Sequence, residues 1–129
     1  MRDITDTPLK IAIVAGEKSG DELGAPLMKS LKSINPSIEF VGVGGSKMTS
    51  EGLESYFDMR EISVMGIIEP LLNLRKLLKL RKGLKKHLLN QKPDIFIGID
   101  SPDFNLPIAN FLKKNLRIGV SGLFKRKKS

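Results

Sequence analysis

The sequence has no cysteine, no tryptophan, one tyrosine and one histidine among 129 residues. Without cysteine there is no disulfide scaffold, no thiolate metal site and no cysteine nucleophile, which suits a reducing compartment. The single histidine, His87, cannot build a histidine metal cage and argues against a Ser-His-Asp triad; it reads most simply as a solvated polar residue. No apolar run approaches the roughly 20 residues that span a bilayer. The start, Met1-Arg2-Asp3-Ile4-Thr5-Asp6, carries acids where a secretory signal needs an apolar stretch. A soluble or peripheral protein is expected, with a length that suits one compact domain.

What the chain does have is unevenly placed charge, with a formal net of +8. Residues 1–69 hold 7 Lys/Arg against 11 Asp/Glu, whereas residues 70–93 hold 8 basic residues and no acid. Three aspartates follow in 94–103, and then 7 basic residues without an acid in 104–129. A mildly acidic body with two basic segments points to an anionic partner, or else to a solvated helix face and a frayed tail.

Leu9-Lys10-Ile11-Ala12-Ile13-Val14-Ala15 reads as a buried strand ended by Gly16. Ser19 and Glu22 match a capping box, so a helix is expected there, with Leu23, Leu27, Leu31 and Ile34 as its apolar face. Pro26 would delete one backbone bond inside that helix, which favours a start closer to it. Ile38–Val43 alternates as a second strand, and a short helix is expected around Lys47–Glu51, with a loop or strand near Tyr56–Phe57. Pro70 can open a helix. The stretch Leu71–Gln91 has nine leucines and seven Lys/Arg, would run roughly 30 Å as a helix, and is stopped by Lys92-Pro93. Asp94–Ile99 is a third strand, followed by a helix over about Leu106–Lys114 and a weak strand at Leu116–Val120. This order is that of an α/β fold with a parallel sheet and right-handed crossovers. Ligands in such sheets bind at the carboxyl ends of the strands, which gathers Gly16–Gly20, Gly42–Gly45 and Asp100–Asp103 along one rim.

Three stretches could carry chemistry. In Gly16-Glu17-Lys18-Ser19-Gly20-Asp21, glycines after a strand let backbone amides approach an anion or a sugar. The spacing is neither a Walker loop nor the dinucleotide fingerprint, and the loop can equally be a tight turn. In Gly98-Ile99-Asp100-Ser101-Pro102-Asp103-Phe104-Asn105, an acid just past an apolar strand is where a general base can be partly desolvated. Asp100 is the better candidate, because Asp103 could cap the next helix; both can also be turn and cap residues. In the leucine- and lysine-rich segment, Leu74, Leu77, Leu84 and Leu88 form one core stripe. The surplus leucines among cations suit a phospholipid surface. No base-stacking aromatic lies in residues 70–93, which argues against nucleic acid.

Four motifs together resemble the lipid-A-disaccharide synthase family: Val14–Asp21, Phe40–Gly45, Val64–Glu69 and Lys92–Asp94 with Gly98–Asn105. The resemblance covers about residues 9–116, the N-terminal part of that family. It implies a Rossmann-like parallel sheet with flanking helices, the acceptor-side half of a GT-B glycosyltransferase, over residues 1–121. It also implies an inverting transfer of 2,3-diacylglucosamine from UDP to the 6-hydroxyl of 2,3-diacylglucosamine 1-phosphate, releasing UDP, in lipid A biosynthesis. By the same resemblance Asp100 is the general base, and Glu17 and Ser19 belong to the catalytic loop. Gly16, Gly20, Asp103 and Asn105 contact substrate, and Ile68, Leu71, Leu74, Leu77 and Leu78 contact an anionic membrane on the cytoplasmic face of the inner membrane. Neither metal nor cofactor is implied, and nucleic acid is not a partner.

The resemblance fades after Leu116. Only Val120-Ser121 echoes the family's next segment, no tryptophan follows, and 122–129 is a basic, divergent tail. The donor-binding C-terminal domain is therefore expected to be absent from a truncated chain. Turnover by the chain alone should be negligible unless a separately encoded C-terminal half supplies that domain. Two other classes compete: a non-catalytic peripheral membrane-binding module of the same fold, and a flavodoxin-like nucleotide-binding domain suggested by the glycine loop alone.

Overall fold

The computed structural model describes residues 8–67, 73–116 and 118–123, with backbone alone at 64–67 and 123. In chain order it runs β1 (Lys10–Ala15), α1 (Lys18–Ile34), β2 (Glu39–Val43), α2 (Ser46–Ser50), β3 (Glu54–Ser55), α3 (Arg60–Ile67), α4 (Leu74–Gln91), β4 (Ile95–Ile99), α5 (Pro102–Asn115) and β5 (Gly119–Leu123). The strands form one sheet in the order β3-β2-β1-β4-β5, and every pairing is parallel. Such sheets are buried on both faces, which explains why β1 is apolar almost throughout: Ile11 to Ala15 are each at most 1% exposed. The order reverses beside β1, so the loops after β1 and β4 diverge and leave a crevice at their carboxyl ends. The fold is therefore the expected Rossmann-like α/β arrangement. β5 runs past the domain boundary expected at residue 121, and residues 124–129 lie outside the described residues.

Several local expectations are corrected. α1 begins at Lys18 and passes straight through Pro26. Pro26 is exposed, so the carbonyl it leaves unpaired can turn to water. The leucine stripe is only half buried: Leu27 and Leu31 pack against the core, Leu23 and Ile34 are exposed, and the fully buried face is Gly20, Asp21, Gly24, Ala25 and Met28. Small residues let the helix pack closely: a Cβ on Gly24 would lie 2.6 Å from the Met48 sulfur, and one on Gly20 3.1 Å from the Ala15 Cβ.

The stretch from Ile62 forms α3, a helix the apolar pattern did not suggest. Asp58 starts it, its Oδ1 accepting from the Arg60 N–H at 2.9 Å. Pro70, Ile68 and Leu71 lie outside the described residues. α5 begins about one turn earlier than expected, with Pro102 in its first turn, where a missing N–H costs nothing. Ser101, not Asp103, is its N-cap residue, and Asp103 sits in the first turn, where the helix dipole favours an acid.

In α4, Leu84 and Leu88 are fully buried and Leu77 packs against the core, whereas Leu74 and Leu78 are 47% and 43% exposed. Its cations divide as well. Arg81 donates to the Asp103 carbonyl at 2.9 Å and Lys85 lies over the Phe111 ring, while Arg75, Lys76, Lys79, Lys82 and Lys86 are exposed. His87 is not simply solvated: it stacks on Tyr56 with ring centroids 4.3 Å apart, and burial lowers its pKa against a smaller upward pull from Glu54.

Candidate functional site

Three loops meet at the carboxyl rim, as the sheet rule requires: Gly16–Gly20 after β1, Gly44–Gly45 after β2, and Asp100–Asp103 after β4. Asp100 and Ser101 are consecutive left-handed residues, with φ of 51° and 45°. Two such residues in succession are costly for non-glycine side chains and persist where surrounding contacts hold them. Asn105 provides that hold. Its Nδ2 donates to the carbonyl of Asp100 at 2.9 Å and to that of Val14 at 3.3 Å, tying the ends of β4 and β1 together. These carbonyl acceptors fix the amide orientation, because a flipped amide would set oxygen against oxygen. Gly98 leaves the room, since a Cβ there would approach the Asn105 Cβ to 3.0 Å. Asn105 is 2% exposed and lies beneath the rim.

Asp100 is 5% exposed, and its carboxylate accepts from Ser19 Oγ at 3.3 Å. That hydrogen bond replaces the expected capping box. Ser19 lies inside α1, whose N-cap residue is Glu17, and no side chain caps the helix. Gly16 stands where the two loops nearly touch, because a Cβ there would lie 2.6 Å from the Ser101 Oγ. Gly20 is buried against Ala15 and Ile99, serving close packing beneath the loop. Glu17, Ser19 and Asp103 line a cavity of about 550 Å³ beside Ser101, floored by the apolar Ile62, Leu77 and Phe104. The site thus brings together Asp100, Ser19, Glu17, Gly16 and Asp103, with Gly20 and Asn105 as its support. Among the described residues no cluster of three His, Cys, Asp or Glu could hold a metal ion, and no helix is long and apolar enough to cross a membrane.

Asp21 is a structural residue that the sequence left without a role. It is 5% exposed, and its carboxylate accepts from the N–H groups of Gly45 at 2.9 Å, Lys47 at 3.1 Å and Met48 at 2.9 Å. One side chain of α1 thereby fastens the glycine turn after β2 and occupies the start of α2. Asp21→Ala strips the acceptor from all three donors and should lower stability by about 3 kcal/mol, since each uncompensated donor costs about 1–3 kcal/mol and water regains part. Urea unfolding followed by circular dichroism measures it. A loss under about 1 kcal/mol would mean that water replaces the carboxylate fully.

Comparison with known proteins gives the family. The family model described as lipid-A-disaccharide synthetase matches residues 11–119. The chain is 61% identical over 106 residues to the lipid-A-disaccharide synthase of Pseudomonas fluorescens (strain Pf0-1), an alignment covering 82% of this chain and 28% of that protein. It is 54% identical over 108 residues to the enzyme of that name from Pseudomonas syringae pv. tomato, and 52% identical over 108 residues to that of Aliivibrio fischeri (strain MJ11). Each of those alignments covers 84% of this chain and 28% of the relative, so the chain spans little more than a quarter of the length of the curated relatives it matches. A model match across most of the chain and identities above one half together establish that it belongs to the lipid-A-disaccharide synthetase family.

Proposed function

We propose that this chain supplies the acceptor-side half of a lipid-A-disaccharide synthase, a glycosyltransferase that moves 2,3-diacylglucosamine from UDP to 2,3-diacylglucosamine 1-phosphate. The observation that carries the proposal is the placement of Asp100. Its carboxylate lies at the carboxyl end of a central strand, largely desolvated and oriented by Ser19. A carboxylate so placed can take the proton of the acceptor 6-hydroxyl as that oxygen attacks the anomeric carbon of the donor. The bond from the anomeric carbon to the UDP oxygen then breaks, the configuration inverts, and UDP leaves with the electron pair. Ser19, by donating to Asp100, holds the base ready, and Glu17, Gly16 and Asp103 border the space for the sugar.

Attachment to an anionic membrane belongs to the same proposal. It is supported by the exposed Leu74 and Leu78 beside five exposed cations of α4, a surface suited to acidic headgroups on the cytoplasmic face of the inner membrane. Donor nucleotide binding is assigned to polypeptide that these residues do not include, consistent with the short span of the relatives they match.

The test is UDP release from the two lipid substrates in detergent micelles. It compares the chain alone, the remaining polypeptide of the Pseudomonas fluorescens relative alone, and the two mixed. Turnover is expected only in the mixture. Equal activity from the remainder alone, or an inert mixture where the intact relative works, would count against the proposal.

A further inference from the structure

Residues 1–69 contain only seven Lys/Arg, yet three of them, Lys18, Lys47 and Arg60, line one cavity of about 680 Å³ beside the carboxyl ends of β1 and β2. The cavity also contains two carboxylates, and both are engaged. Asp21 accepts the three backbone N–H groups described above. Asp58 accepts from Nε and Nη2 of Arg60, and those hydrogen bonds pull its pKa down to about 2. Among the described residues Lys18 has no ion-pair partner, Lys47 has only a 3.8 Å approach to the exposed Glu22, and Arg60 Nη1 donates to nothing. Because Asp21 already fills the start of α2, any anion here would be held by side chains, with the hydroxyls of Ser46 and Ser63 beside them.

This cationic cavity shares Lys18 and Ser63 with the cavity at the Asp100 loop. The second cavity presents the carboxylates of Glu17 and Asp103 with the Ser19 hydroxyl, so a ligand reaching from one into the other would carry an anionic group on one side and hydrogen-bond donors such as sugar hydroxyls on the other. We infer that the cavity of Lys18, Lys47 and Arg60 binds the phosphate monoester of a sugar phosphate whose sugar extends into the neighbouring cavity of Glu17, Ser19 and Asp103. The identity of the sugar rests on the function proposed above; the phosphate chemistry rests on the cavity itself. A monoester carries about −1.5 to −2 charges at neutral pH and offers three strong acceptor oxygens, which suits three separately mounted cations.

Backbone amide NMR of the chain tests this without turnover. Glucosamine 1-phosphate and inorganic phosphate should shift the amides of Lys18, Gly45, Ser46 and Lys47, and unphosphorylated glucosamine should not. The double change Lys18→Gln with Lys47→Gln should weaken the apparent affinity about tenfold or more, because it removes two charge-assisted contacts. Lys29→Gln, on exposed α1 surface outside the cavity, should leave it unchanged. Shifts confined to the lysines of α4, or an affinity indifferent to the double change, would overturn the inference. An equal or stronger response to UDP would overturn it too, by assigning the cavity to a nucleotide diphosphate. Asp100→Asn should bind phosphate as the unaltered chain does, so a failure of the catalytic proposal and a failure of this one remain distinguishable.

Discussion

Gly42→Ala is expected to destabilise this domain by more than about 3 kcal/mol. Gly42 sits inside β2 at a φ of 138°, a conformation that L side chains rarely adopt, directly opposite Ile13 of β1. A Cβ there would lie 2.0 Å from the Ile13 carbonyl oxygen and 2.9 Å from its carbonyl carbon. Neither neighbour can give way. Ile13 is fully buried in the central strand, and the Gly42 carbonyl is fixed by the Tyr56 N–H at 2.7 Å. Relief would require β2 to separate from β1 or from β3, sacrificing the pairing that carries the Gly44–Gly45 turn. The cost should exceed about 3 kcal/mol, beyond the usual range for overpacking because backbone is the obstacle. That is a large share of the about 5–15 kcal/mol that holds a typical domain together.

Gly52→Ala is the control. Its φ is also positive, at 108°, but nothing lies within 4 Å of an added Cβ. It should lose only the conformational part, about 1–2 kcal/mol. Urea unfolding of both variants separates clash from dihedral strain. If they unfold at the same midpoint, the close approach to Ile13 is not what demands glycine.

The strands that build the sheet were legible because a parallel strand buried on both faces reads as an unbroken apolar run, as in Ile11–Ala15 and Ile95–Ile99. Their order then brought three loops to one rim, so Asp100 could be singled out without coordinates. Contacts made at long sequence separation were not legible. Ser19 looked like a helix cap because Glu22 stood three residues on; its hydroxyl instead meets Asp100, 81 positions away. Asp21 looked like filler in a polar loop, since its three partners lie beyond a whole helix and strand. The face of α1 was half legible: Leu27 and Leu31 do pack against the core, but hydrophobicity could not mark the small residues that close packing against Ala15 and Met48 selects. α3 did leave a signal, the Asp58 and Glu61 spacing of a helix start, which its apolar, β-branched run obscured.

Asp100→Asn should leave the fold intact and remove catalysis. The substitution keeps size and planarity, and asparagine is among the residues that tolerate the left-handed region, where Asp100 sits at φ 51°. Its side-chain oxygen can still accept from Ser19 Oγ, and the hydrogen bond from Asn105 to the residue 100 carbonyl does not involve the side chain. What is lost is the capacity to take a proton. General-base assistance contributes on the order of 10²–10⁴ in rate, so kcat of the mixed polypeptides should fall by about that factor. KM for the acceptor should move little, because an amide occupies the same space beside the hydroxyl. Asp100→Ala is the less informative change: it adds strain at a left-handed position and leaves the Ser19 hydroxyl without its acceptor. Ser19→Ala retains the base and removes only the group that orients it, so a smaller loss of about tenfold in kcat is expected, with stability nearly unchanged. Steady-state UDP release and urea unfolding on the same samples separate these outcomes. If Asp100→Asn keeps kcat within about threefold of the unaltered protein, Asp100 is not the base, and its buried carboxylate serves only to join the loops after β1 and β4.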